Sequence, residues 1–147
     1  MKRDFSNVKR VVIKLGTNIL TQNNSIDFDF IERLAGQISK LHQAGIKILI
    51  VSSGAIGIGA KQLNIDKKIT KTSLRQACAA IGQPMLMHRY RLAFQQYDIS
   101  IAQVLITKEL MDQRATYNNL STAVDTLLNL GVIPIFNEND CVSTAEI

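Results

Sequence analysis

Gly45-Ile-Lys-Ile-Leu-Ile-Val-Ser-Ser-Gly-Ala-Ile-Gly-Ile-Gly-Ala60 is the stretch whose reading decides the fold. Ile46 to Val51 is a short, largely apolar run bounded by Gly45 and by Ser52-Ser53-Gly54, the pattern of a buried strand. The turn opens at once into a helix running through Ala60 to Leu63. Working outward, Val11 to Leu15 reads as an earlier strand. Phe28, Ile31, Leu34, Ala35, Ile38 and Leu41 then recur with helical spacing up to Gly45. On the other side, Asn64 to Thr72 is polar and loop-like, and Ser73 is a natural cap for the next helix. That helix carries Leu74, Ala77, Cys78, Ile81, Met85 and Leu92, and Gly82-Gln83-Pro84 is expected to bend or break it. Ser100 to Ile106 is a third strand, Tyr117 to Leu130 a helix closed by Gly131, and Val132 to Phe136 the last strand. Strands separated by helices imply right-handed crossovers and an α/β fold: a mainly parallel open sheet with helices on both faces. The runs 46–51 and 132–136 suit its centre. No repeat or linker divides the chain, so it reads as one doubly wound unit.

Composition narrows the class. The chain has 147 residues, 46% hydrophobic and 20% charged, as expected of one soluble globular domain. No apolar run approaches the roughly 18 residues of a membrane span. Met1 to Asn7 lacks the apolar stretch of a signal peptide, so the expectation is a cytoplasmic protein without a membrane partner. Cys78 and Cys141 match no metal-ligand spacing and read as reduced thiols. The net charge of +5 raises the question of nucleic acid. The basic residues are mostly spread out, however, and the densest group, Lys67, Lys68, Lys71 and Arg75, lacks interleaved aromatics. A solvated loop, or one that meets an anionic ligand, fits better than a nucleic-acid surface. His42 and His88 have no ligand-spaced partners, and Ser52 and Ser53 show no nucleophile-elbow pattern. No metal site is expected.

In a parallel sheet the turns after the strands emerge at one edge. Those turns are Leu15-Gly16-Thr17-Asn18, Ser52-Ser53-Gly54-Ala55 and Asn137-Glu138-Asn139-Asp140. Lys14 interrupts an apolar strand, so its ammonium either leans out at the sheet's edge or meets an anion. With Gly16 close behind, Lys14 also suits a phosphate contact, although the order of residues is not that of a Walker A loop. Gly54, Gly57 and Gly59 are spaced GxxGxG, which is not the dinucleotide fingerprint GxGxxG. Ser53 and the amides of Gly54 and Ala55 instead suggest an anion-binding helix start. Close packing alone would also account for Gly57 and Gly59. The Asn-Glu-Asn-Asp quartet is either a polar turn or a set of donors and acceptors for a zwitterionic molecule.

Four motifs sharpen the alternatives: Val-Ile-Lys-Leu-Gly-Thr at 12–17, Val-Ser-Ser-Gly-Ala-Ile at 51–56, Ala-Ala-Ile-Gly-Gln at 79–83 and Asn-Glu-Asn-Asp at 137–140. With Ser-Thr-Ala-Glu-Ile at 143–147, they together resemble the amino-acid kinase family, in its branch that phosphorylates glutamate. The resemblance covers nearly the whole chain in order. It implies ATP-dependent phosphorylation of the side-chain carboxylate of L-glutamate, the first step of proline synthesis, with ATP and Mg²⁺ as cofactors. By the same resemblance, Lys14 would contact the transferring phosphoryl group, and Gly16 and Thr17 would lie beside the ATP phosphates. Ser53, Gly54 and Ala55 would hold the reacting end of glutamate. Asp140, supported by Asn137, would hold its amino group. Homo-oligomerisation, with 73–97 as one surface, and proline as a feedback effector are further family expectations. Family members continue beyond this point. Residues 1–147 are therefore expected to be the amino-acid-binding lobe, with the nucleotide-binding half absent and no turnover by the lobe alone. Competing expectations are a related kinase with another substrate, a non-catalytic amino-acid-binding module, and a nicotinamide-dependent enzyme.

Overall fold

Four apolar segments pair side by side, as their composition requires. The computed structural model describes residues 6–22 and 25–143. The basic start Met1–Phe5 and the motif residues 144–147 lie outside the described residues. The elements in chain order are β1 (Arg10–Lys14), α1 (Thr17–Leu20), β2 (Thr21–Gln22), β3 (Ser25–Ile26), α2 (Phe28–Gln43) and β4 (Lys47–Val51). They continue with α3 (Ala55–Gln62), α4 (Thr72–Gln95), β5 (Ile101–Ile106), α5 (Lys108–Asp112), α6 (Arg114–Asn129) and β6 (Ile133–Glu138). The main sheet has the order β1-β4-β6-β5, and every pairing in it is parallel. β2 and β3 form a separate antiparallel pair. The two strands expected at the centre, β4 and β6, are there.

Alternation along the strands sorts the helices onto two faces. Val11 and Ile13 of β1 and Ile48 and Ile50 of β4 join one core cluster with Ile31, Ala35 and Ile38 of α2 and Leu86, Tyr90 and Phe94 of α4. Arg10 and Lys47, in register with each other, belong to the opposite set of positions. Arg10 meets Asp125 of α6 at 2.8 Å, and Lys47 donates to Asn129 of α6 at 2.7 Å. Helices therefore cover both faces. The α6 side is covered less completely: Val124 and Leu128 are buried there, while Val12 on β1 is 60% exposed.

Several boundaries differ from the sequence expectation. α4 is continuous through Pro84. A proline deprives the carbonyl four residues back, here Ala80, of its donor. Ala80 and Pro84 are both solvent-facing, so water can satisfy that carbonyl without a break. Ser73 is not the cap; the cap position is Lys71, with no side-chain hydrogen bond. The buried stripe of α4 is Cys78, Ala79, Gly82, Gln83, Leu86, Tyr90, Ala93 and Phe94, which leaves Met85 and Leu92 exposed. α5 has no counterpart in the sequence expectation; Thr107 caps it, and one turn is too short to display a period. β6 runs two residues beyond Phe136, because Asn137 and Glu138 pair with Leu105 and Ile106. Ladder hydrogen bonds use the backbone and do not require apolar side chains.

Two glycines set how α3 lies on α4. A Cβ on Gly82 would collide with the Ala55 carbonyl oxygen, and one on Gly59 with the Cys78 carbonyl oxygen. The backbones are thus in direct contact, and both positions require the smallest residue. Gly57, by contrast, has nothing within 4 Å of where a Cβ would stand. Gly82→Ala is expected to destabilise the fold by about 1–3 kcal/mol or more by overpacking. Gly57→Ala should be neutral or stabilise by up to about 1 kcal/mol through helix propensity. Thermal unfolding of the two variants checks both; equal midpoints would contradict the packing argument.

Candidate functional site

The strand ends are tied together beyond the strands proper. Leu15 N–H donates to Val51 O at 2.7 Å, Ser52 N–H to Phe136 O at 2.8 Å, and Asn139 N–H to Ile106 O at 2.8 Å. The turns that follow surround one cleft of about 530 Å³. Lys14, Thr17, Ser53, Gly54, Asn137 and Asp140 line it, so six of the eight residues singled out from sequence share one space. Gly16 is adjacent to it in the chain, with nothing within 4 Å of a Cβ position. Ala55 is 2% exposed and lies beneath the cleft in the contact with Gly82.

Each group is positioned by its local structure. Lys14 ends the edge strand β1; its side chain is exposed and makes no ion pair among the described residues. Gly54 occupies the cap position of α3 with φ +99°, a left-handed conformation that side chains disfavour. No side chain caps α3, and Gly54, Ile56 and Gly57 at its start line the cleft, so the first turn keeps backbone amides that no side chain satisfies. Asn137 is 6% exposed. Its amide nitrogen donates to Gln83 Oε1 at 2.6 Å, and its oxygen accepts from Glu138 N–H at 3.0 Å. That carboxamide is therefore held by the protein from both ends. Glu138 accepts from Ser143 Oγ at 2.8 Å, and Ser143 N–H donates to Asn139 O at 3.0 Å, closing the turn that carries Asp140.

Sequence reasoning missed several residues that matter here. Arg75 from α4 lines the cleft, as do Ser52, Gly57 and Glu138, which the sequence places in the turns and the glycine cluster without giving them a role. In the sequence Arg75 is visible only as part of a basic group beside a loop. Gln83 is visible there only as the last residue of Ala-Ala-Ile-Gly-Gln, and Tyr90 has no distinguishing signal. Tyr90 hydroxyl lies 2.8 Å from Ser52 Oγ, fixing the residue that precedes Ser53. Burial pushes the Tyr90 phenol up to about 12, against a smaller opposing effect of the Ser52 hydrogen bond. Outside the cleft, His42 Nε2 pairs with Gly131 O at 2.9 Å and His88 with Arg91 at 3.2 Å. Among the described residues, no three His, Cys, Asp or Glu side chains gather as a metal site. Nor is any described helix long and apolar enough to cross a membrane.

The cleft combines two cations, Lys14 and Arg75, with two carboxylates, Glu138 and Asp140, and a helix start. Such a cleft stands at the carboxyl ends of parallel strands, the place where open α/β sheets as a class bind their ligands. More specifically, residues 9–147 match the amino acid kinase family, and the chain belongs to that family. It is 45% identical to a glutamate 5-kinase of Methanosarcina mazei, over 97% of this chain and 39% of that protein. It is 42% identical to a glutamate 5-kinase of Clostridium perfringens, over 100% of this chain and 55% of that protein. The chain thus spans between about two fifths and about half of the relatives it matches. A crystal structure of UMP kinase from Ureaplasma parvum shares the fold, with a TM-score of 0.54 and 24% identity over 88% of this chain and 56% of that one.

Two outcomes follow from the Tyr90–Ser52 pair. Tyr90→Phe leaves the buried Ser52 hydroxyl with only a long contact to Ser53 O, 3.5 Å, and should cost about 1–3 kcal/mol in chemical denaturation. The folded phenol, at about 12, lies above its ordinary value of 10.0. Stability from its neutral form is therefore intact below pH 10 and declines as pH rises toward 12. In an alkaline titration followed by absorbance, one phenol should ionise only near pH 12 or together with unfolding.

Proposed function

We propose that this chain is the amino-acid-binding part of a glutamate 5-kinase, which transfers a phosphoryl group from ATP to the side-chain carboxylate of L-glutamate. The observation that carries this reading is the convergence of Lys14, the uncapped start of α3 and Asp140 on one cleft. The relatives named glutamate 5-kinase, at 42–45% identity, support the choice of substrate.

The chemistry suits these groups. A glutamate side-chain carboxyl ordinarily titrates at about pH 4.3 and is ionised at neutral pH, so the nucleophile requires no general base. Acceleration then comes from in-line positioning and from neutralising charge on the phosphoryl group. Lys14 on β1, Ser53 after β4 and Asp140 after β6 stand in that order across the sheet. Strand spacing separates the outer two by roughly 10 Å, room for an amino acid and the group it receives. In this reading Asp140 anchors the ammonium, and Ser53 with the Gly54 and Ala55 backbone holds the γ-carboxylate. Lys14 neutralises the transferred phosphoryl, with Gly16 and Thr17 beside the nucleotide phosphates. Asn137, fixed by Gln83, supports the turn that carries Asp140.

ATP supplies the phosphoryl group, and the open backbone at Gly16 fits beside its phosphates. Mg²⁺ binds chiefly through phosphates, water and one or two carboxylates, so it would arrive with the nucleotide rather than occupy a protein cage. The same reading places the protein in proline synthesis in the cytoplasm, with proline as a natural end-product effector. It also assigns homo-oligomer contacts to the outer face of α4, where Met85 and Leu92 are exposed.

Titration calorimetry tests the assignment of roles. Asp140→Ala should weaken L-glutamate binding about 10- to 100-fold, the range expected for losing a charged hydrogen bond. In a complete enzyme, Lys14→Ala should chiefly lower turnover, as steady-state kinetics would show. Undiminished L-glutamate affinity in Asp140→Ala would contradict the reading.

A further inference from the structure

Of the two cations lining the cleft, Lys14 and Arg75, the reading above gives a task only to Lys14. They reach the cleft from different sides of the sheet. Lys14 shares the alternation of Arg10 and Val12, on the face covered by α6. Arg75 belongs to α4, which packs with α2 on the other face. Along α4, Arg75, Cys78, Ala79 and Gly82 fall at i, i+3, i+4 and i+7, and the last three are buried. Arg75 therefore heads the inward stripe of the helix instead of its solvent face. The first turn of α4 contains no acidic residue, and Lys71 offers no side-chain cap. Cations at a helix start are disfavoured by the helix dipole, and an anion bound there offsets the cost.

We propose that Arg75 is a specificity-determining residue that receives the α-carboxylate of the amino-acid substrate. This rests on the glutamate reading. L-Glutamate has three charged groups. Asp140 takes the ammonium, and the Ser53-Gly54 turn near Lys14 takes the γ-carboxylate. The α-carboxylate is bonded to the carbon that bears the ammonium, so it sits at the Asp140 end of the cleft, away from Lys14. Arg75 is the other cation that lines the cleft, and it enters from the face of the sheet opposite Lys14. A guanidinium carries five N–H donors in a planar fork, enough to grip a carboxylate at two points.

The test compares L-glutamate with 4-aminobutyrate, which keeps the terminal carboxylate and the ammonium but lacks the α-carboxylate. Calorimetry is run on the unaltered chain, Arg75→Met and Arg75→Lys, with thermal unfolding as the check on folding. Arg75→Met should weaken L-glutamate about 10- to 100-fold, as expected for a charge-assisted pair, and leave 4-aminobutyrate unchanged. Arg75→Lys should fall between, because it keeps the charge without the fork. If Arg75→Met does not fold, the Arg75→Lys comparison decides. Equal losses for both ligands would overturn the inference. L-Glutamate binding untouched by either substitution would overturn it alone. Failure of the unaltered chain to bind L-glutamate would overturn the glutamate reading and this inference together.

Discussion

The contact between α3 and α4 is the constraint on which the rest of the site depends. Gly82 lies directly against the Ala55 carbonyl, so the start of α3 is held by backbone on backbone, with no side chain between. From that point α4 continues beneath the central strands. Gln83 holds Asn137 at the end of β6, and Tyr90, two turns further on, holds Ser52 at the end of β4. Seven residues of helix advance about 10.5 Å, so one rigid element fixes two adjacent strand ends and the helix start between them. Buried polar pairs of this kind contribute little net stability individually. Their larger effect is on position, because separating the Ser52 hydroxyl or the Asn137 amide from its partner would leave a second unpaired group beside Gln83 Nε2, which is already buried without one.

That rigidity explains how a cleft of mixed charge persists. Parallel pairing brings Lys14, Ser53 and Asp140 to one edge from segments far apart in sequence. Two cations and two carboxylates then share about 530 Å³ without any ion pair between Lys14 and a described carboxylate. A zwitterionic ligand with an additional carboxylate completes such a set better than either a simple anion or a simple cation. Phosphoryl transfer to a carboxylate requires charge placement and geometry more than proton transfer. The cleft offers charges, amides and hydroxyls, and the chain's two histidines are both engaged elsewhere.

Much of this was legible in the residues. The strands were readable because buried parallel strands are short apolar runs bounded by glycine and polar turns, as at Ile46–Val51 and Val132–Phe136. Their convergence followed from parallel pairing alone, which brought six of the eight chosen residues to one cleft. What escaped had physical reasons. Asn137 and Glu138 pair within β6 through their backbones, which side-chain polarity does not report. Pro84 suggested a break, but its lost hydrogen bond falls on the wet side of α4. Gln83 and Tyr90 look like ordinary helix residues until the sheet beneath them is seen. Arg75 resembles one of several loop cations, and only the inward stripe of α4 separates it from Lys67, Lys68 and Lys71.

The central claim is that L-glutamate occupies the cleft between the turns after β1, β4 and β6. Amide NMR spectra of isotope-labelled chain titrated with L-glutamate test it most directly. The account predicts saturable shifts concentrated at Ser53, Gly54, Ala55, Asn139 and Asp140, with little change along the outer face of α6. Absence of shifts at those amides, or shifts confined to a surface remote from the cleft, would contradict it.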